Sequence, residues 1–125
     1  MNNLIIDAAS DKILLKIIFD NQSYTNEYSN NRENFDKLPF LIFNFLKKNN
    51  KNIEEISNIF VNHGPGKFSG VRLSIVISKA ICMVYNIKLY SFCSNQIDGN
   101  NYSKLLDLLE KGDLISNLIK PKYFS

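Results

Sequence analysis

Apolar and polar positions along this chain fall into blocks whose period changes several times. Leu4-Ile5-Ile6 is a short apolar run ending at Asp7, which predicts a buried strand, and Asp7 to Lys12 supplies turn residues. Ile13 to Phe19 predicts a second strand and Asp20-Asn21 a hairpin turn. Gln22 to Tyr28 alternates polar with aromatic or β-branched residues, as an edge strand does. After the polar stretch Ser29 to Glu33 the period lengthens to that of a helix, Asn34 to Lys48. Its core stripe is Leu38, Leu41, Ile42, Phe45 and Leu46, with Phe40 and Phe43 outside it and Pro39 near its start. Ile53 to Ile56 reads as a turn of helix, Asn58 to Asn62 as a fourth strand, Ser69 to Asn86 as a second helix and Lys88 to Cys93 as a fifth strand. Beyond Ser94 the pattern weakens. Asn95 to Asn101 is turn-like, Tyr102 to Lys111 is one amphipathic helix ended by Gly112, and Asp113 to Ser125 is a weakly patterned tail.

The order is therefore β-β-β-α-β-α-β, then a helix. Consecutive strands joined by tight turns pair antiparallel, and strands reached over a helical crossover lie parallel to a neighbour. The expectation is an α/β protein with a mixed five-stranded sheet. This is the layout of one lobe of the actin, Hsp70 and sugar-kinase (ASKHA) superfamily, a fold resembling ribonuclease H.

The chemistry-bearing segment is Ile59 to Arg72, where an apolar strand runs into His63-Gly64-Pro65-Gly66-Lys67-Phe68-Ser69-Gly70 and then a helix. A strand, a glycine-rich loop and a helix N-terminus together form a common phosphate site in α/β proteins, and Ser69 is placed to cap the helix. Two specific readings fail. A P-loop needs a hydroxyl after the lysine, and Gly66-Lys67 is followed by Phe68. A dinucleotide fingerprint needs a different last glycine spacing and an acidic end to the next strand, which Leu89 to Cys93 lacks. Gly64, Pro65, Gly66 and Ser69 then read as a structural loop.

Composition narrows the classes. With 125 residues, 45% of them hydrophobic, the chain can bury one core. A net charge of +3 is too small a bias for binding nucleic acid by charge alone. Two cysteines, Cys82 and Cys93, have no metal-ligand spacing and point to a reduced, cytoplasmic protein. No basic leader precedes Ile5. Arg72, Ser74, Ser78 and Lys79 interrupt the longest apolar helix, so no membrane span is expected.

Several segments together carry a resemblance. Leu4-Ile5-Ile6-Asp7-Ala8-Ala9-Ser10 resembles an opening strand and I-D-T-[AS] turn, and His63 to Leu73 resembles the signature G-P-G-S-F-T-G-[LV]-R. Ser78-Lys79-Ala80 is similar to an A-K-G-L-A helix, and Tyr90 to Ser94 to a G-V-S-S-L strand end. The family is bacterial TsaB (YeaZ), within the Gcp-like group. Pro121-Lys122-Tyr123-Phe124 is similar to the family's closing P-x-Y-L. The family's second lobe, with its D-A-R-x-x-E-V-Y stretch, finds no match after Ser94. Lys67 stands where the family has serine, and Asn34 where it has a first-helix histidine. The expected organisation is thus a TsaB-like lobe over residues 1–94 and a short helix and tail over 95–125, the remnant of a second lobe.

The resemblance implies a non-catalytic subunit that pairs with a TsaD-type transferase, and the residue pattern puts that contact on the first two helices. The pair acts in placing a threonylcarbamoyl group on N6 of the tRNA adenosine beside the anticodon (t6A). It further implies a TsaE-type ATPase as a pathway partner, indirect contact with tRNA, no cofactor, and self-association as a homodimer when the transferase is absent. Two rival readings stand beside it. One is a nucleotide-hydrolysing remnant using Asp7, Ser10 and the Gly64 to Gly70 loop; the other is a homodimeric module without a tRNA role. In active superfamily members the aspartate corresponding to Asp7 faces Mg-nucleotide; here a turn aspartate is the preferred reading, and Asp7 and Ser10 are vestigial. His63 is the only histidine, so a two-histidine metal site cannot be built. On the second helix, Gly70, Ser74, Ser78 and Cys82 recur every fourth position. This stripe of small side chains, beside Phe40 and Phe43, is expected to face a partner helix, with position 78 outward. The alternative is that the Tyr102 to Lys111 helix covers it.

Overall fold

The protein is described by a computed structural model covering residues 1–99 and 101–116. Pro121 to Phe124 lie outside the described residues. Strands β1 (Asn3–Asp7), β2 (Lys12–Phe19) and β3 (Gln22–Ser29) come first, followed by helices α1 (Arg32–Asp36) and α2 (Leu38–Lys48). Then come β4 (Asn58–Asn62), α3 (Phe68–Tyr85), β5 (Lys88–Phe92) and α4 (Lys104–Lys111), with single 3-10 turns at Ile53–Glu55 and Ser94–Gln96. The sheet order is β3-β2-β1-β4-β5. β2 pairs antiparallel with both β1 and β3, while β4 runs parallel to β1 and β5. This is the mixed five-stranded α/β lobe expected from the element order. The two-residue turn Asp20-Asn21 has φ of +46° and +62°, the twist that matches a hairpin.

Strand alternation divides the core between two faces. Leu4 and Ile6 of β1 and Ala8 just after it, with Ile13, Leu15 and Ile17 of β2, meet the apolar stripe of α2 and the inner side of α3. Ile5, Phe60 and Phe92 point the other way and pack with Ile97, Tyr102 and Leu105, so α4 covers the opposite face. Each buried Leu, Ile or Phe among them contributes roughly 1.5–3 kcal/mol on burial.

Four local expectations change. The helix expected over Asn34 to Lys48 is two helices, because Lys37 leaves the helical region (φ −115°, ψ 22°) just ahead of Pro39, whose ring suits a helix's first positions. The first of the two starts at Arg32 rather than Asn34, capped by Asn31, whose side chain accepts from the Asn34 N–H at 2.9 Å. α3 begins at Phe68 with an extended Lys67 before it, so Ser69 sits exposed inside the first turn and is not the cap. The largest change concerns the small stripe. Ser74 and Ser78 are 0% exposed, and Gly70 and Cys82 are buried with them. A Cβ at Gly70 would lie 2.1 Å from the Ala8 carbonyl oxygen. The close approach that small side chains permit is made to the chain's own β1, so position 78 faces inward. The alternative fails as well, since α4 lies on the other side of the sheet.

Candidate functional site

The carboxyl ends of β1, β4 and β5 lie side by side, because these three strands are parallel and in register. Open α/β sheets bind ligands at this edge. The strand ends bring together Asp7, Asn62 and Ser94, which no sequence motif links. Asp7 is buried, and its Oδ1 accepts the Ala9 N–H at 3.2 Å and the Asn62 Nδ2–H at 3.1 Å. Its Oδ2 accepts the Tyr102 hydroxyl at 2.6 Å, from the residues just before α4. Asn62 also donates to Ser94 Oγ at 3.0 Å, and its Oδ1 accepts the Gly64 N–H at 2.8 Å. One buried carboxylate and one buried amide thus hold four segments of the chain.

Tyr102 is fixed on both sides. Its ring meets Phe92 edge-on at 6.2 Å between centroids, and the Lys16 ammonium lies 5.9 Å from its centre. Burial first, then the charge of Asp7 and the hydrogen bond to it, pushes the hydroxyl far above its ordinary pKa. It therefore remains a donor throughout the neutral range.

Beside this network lies a cleft of about 480 Å³ lined by Asp7, Ser10, Asp11, Asn62, Lys67 and Ser94, among others. Lys67 Nζ meets Asp11 Oδ1 at 2.8 Å. The hydrogen bond from Lys67, and after it the lysine's charge, holds the Asp11 carboxyl below its usual range. The lysine at the signature's serine position thus makes an ion pair across the cleft mouth. Loop and strand turn are tightly packed here: a Cβ at Gly66 would lie 2.5 Å from the Ala9 carbonyl oxygen, and the Lys67 N–H donates to that same oxygen at 3.1 Å.

The superfamily resemblance implies a cation with its nucleotide at Asp7, and the residues present do not fit one. The carboxylate already receives three donors from the protein, and the neighbouring carboxylate, Asp11, is paired with Lys67. Among the described residues no group of three His, Cys, Asp or Glu side chains could hold a metal ion. His63 is buried past the end of β4, its backbone N–H donating to the Phe92 carbonyl at 2.9 Å. Ser10 is exposed at the cleft and makes no contact with Asp7 among the hydrogen bonds described.

A second feature lies on the far side of α2 and α3. Phe40 is 64% exposed and Met83 83%, and Phe43, Val76, Val84 and Tyr85 are also uncovered. Phe43 and Tyr85 meet edge-on at 6.3 Å, which joins the two helices into one apolar surface. Phe40 and Phe43 were visible from their place outside the α2 stripe. Met83 and Tyr85 were not singled out, although the offsets of Met83, seven residues from Val76 and three from Ala80, were an available signal. Asn62 and Tyr102 were also missed at the cleft, and Tyr102 had only its position as the one aromatic in a polar stretch to mark it. No helix among the described residues is long and apolar enough to cross a membrane.

Comparison with known proteins agrees with this architecture. The model of the family described as TsaD, tRNA N6-adenosine threonylcarbamoyltransferase, matches residues 26–103. Among curated proteins, the tRNA threonylcarbamoyladenosine biosynthesis protein TsaB of Buchnera aphidicola subsp. Baizongia pistaciae is 29% identical over 85 residues, 67% of this chain and 38% of that protein. The tRNA N6-adenosine threonylcarbamoyltransferase of Fervidobacterium nodosum is 32% identical over 75 residues, 60% of this chain and 22% of that protein. The chain thus spans less than half the length of either. Among solved structures, YeaZ from Pseudomonas aeruginosa superposes with a TM-score of 0.70 at 15% identity, over 89% of this chain and 50% of that one, which shows the shared fold.

Proposed function

Because this chain belongs to the family described as TsaD, tRNA N6-adenosine threonylcarbamoyltransferase, whose homologues include TsaB, we propose that it serves t6A biosynthesis as a non-catalytic subunit that binds and activates a TsaD-type transferase. In this reading residues 1–94 are the TsaB-like lobe and 95–125 the remnant of a second lobe, of which Ile97, Tyr102 and Leu105 pack on the sheet's second face. The observation that carries the proposal is the uncovered apolar surface shared by α2 and α3, centred on Phe40, Phe43, Val76, Met83 and Val84. Exposed apolar patches of this kind mark protein interfaces, and bulky side chains within them are the expected anchors. The small-residue stripe has no part in it, being turned toward the sheet. The enzyme reading loses its main support, since the Asp7 carboxylate is engaged by three protein donors.

The test is affinity capture of the transferase from the same organism, with circular dichroism of each variant. The parent should retain the transferase. Met83→Lys and Phe43→Ala should each lower capture at least tenfold while keeping the parent spectrum. In a reconstituted tRNA modification assay the pure chain alone should read background, and adding it should raise the transferase's rate. Variants that bind as well as the parent would remove the α2–α3 surface from the proposal. A chain that forms a dimer which the transferase cannot displace would favour the homodimer reading.

A further inference from the structure

The contact that the fold and the sequence resemblance leave unexplained is the one between Asp7 and Tyr102, 95 positions apart. We infer that Tyr102 is a built-in latch: it occupies from within the chain the face that an open Asp7 would offer a cation, and it couples docking of α4 to the order of the glycine loop.

Three observations carry this. First, the strap after β5 packs back against the sheet, Ile97 and Tyr102 being buried with Phe60 and Phe92. Second, the Asp7 network branches. Asn62, bound to the same carboxylate, holds the Gly64 N–H on one side and Ser94 Oγ on the other. A change at Tyr102 therefore reaches Gly64 through three hydrogen bonds in series, Tyr102 to Asp7, Asp7 to Asn62 and Asn62 to Gly64. Third, α4 has only eight residues and one fully buried side chain, Leu105. A helix of that length is not stable alone in water, so its order depends on docking. Its anchors at the strap end are Leu105 and the Tyr102 hydroxyl. Hydrogen bonds to a charged group are among the stronger ones, and the open cleft beside Asp7 lets water in once the hydroxyl leaves. The two states are thus α4 docked with the cleft carboxylate satisfied internally, or α4 released with Asp7 open to solvent.

Amide hydrogen exchange on the full chain tests the coupling. Tyr102→Phe keeps the ring against Phe92 and removes only the hydroxyl. It should speed exchange of residues 104–111 by about tenfold, the scale of one hydrogen bond to a charged group. It should also speed exchange at Gly64 and Gly66, which lie on another segment. Asp7→Asn should act alike, and the double variant should be no worse than the worse single. In an Asn62→Ala background, which cuts the branch without touching Tyr102, Tyr102→Phe should still loosen α4 but no longer affect Gly64. Exchange that rises in α4 alone in the parent background, or singles that add in the double variant, would overturn the latch. A parallel titration with Mg²⁺ and ATP should leave the parent's melting temperature unchanged. A saturable, Mg²⁺-dependent rise that Asp7→Asn abolishes would show an open cation site and overturn it too.

Discussion

The two sides of α3 are both apolar in sequence and opposite in fate. Gly70, Ser74, Ser78 and Cys82 lie against the sheet, whereas Val76, Met83 and Val84 stand in solvent. The buried side carries Val71, Ile75 and Ile81 beside these small residues, and the exposed side carries Arg72 and Lys79 beside its apolar ones. Small side chains let the helix axis come close to β1, so that Gly70 sits over the Ala8 carbonyl and Val71 and Ile75 reach Val61 and Ala9. Val76, Met83 and Val84 on the other side stay uncovered among the described residues. The charged residues set which arc of this largely apolar helix faces water, and the small residues set how closely the other arc approaches the sheet.

Substitutions along the two arcs should separate them. Ser78→Arg should have the largest effect. It places a charge at a position with no exposure, and a buried charge without a partner costs about 3–5 kcal/mol. Loss of the cooperative melt at room temperature is the expected result, and a folded, binding-defective Ser78→Arg would restore the outward stripe. Gly70→Ala comes next. Its Cβ would collide with the Ala8 carbonyl, and overpacking of this kind costs roughly 1–3 kcal/mol, read as a shift in the urea midpoint. Ser78→Ala should move stability the other way. The buried hydroxyl has no hydrogen-bond partner among the described residues, so removing it should be neutral or stabilise by up to about 1 kcal/mol. Val76→Lys on the outer arc should stay within about 0.5 kcal/mol of the parent, as surface changes do. A larger loss would mean that the outer arc is covered within the chain.

The inner arc also carries a pH signature. Burial pushes the Cys82 thiol up to about 12 from its ordinary value of 9.0. The unfolded chain then releases this proton at lower pH than the folded one. Between pH 9 and 12 the folded state holds more protons, and stability should fall as pH rises through that window. Replacing Cys82 by Ala should flatten the decline, measured as the urea midpoint against pH. At pH 8 the folded thiol should resist a thiol-labelling reagent and become reactive in denaturant.

Much of this fold was legible without coordinates. The run lengths and alternation of Leu4 to Tyr28, the Asp20-Asn21 turn, the α2 stripe and the stop at Gly112 are local properties. Each rests on backbone preferences within a few residues, and together their order implied the sheet topology. The helix break at Lys37 was partly legible, since Pro39 announced it. What the sequence could not decide was which of two apolar arcs on α3 would be inside, which face of the sheet α4 would take, and what would meet Asp7. Those outcomes depend on contacts between residues far apart in the chain, as with Tyr102 and Asp7, or Gly70 and Ala8. Periodicity records the angle at which a side chain leaves its own element. Only packing sets how closely two elements approach and which donor reaches a buried carboxylate, and so only the tertiary structure turned a cleft aspartate into an internal anchor.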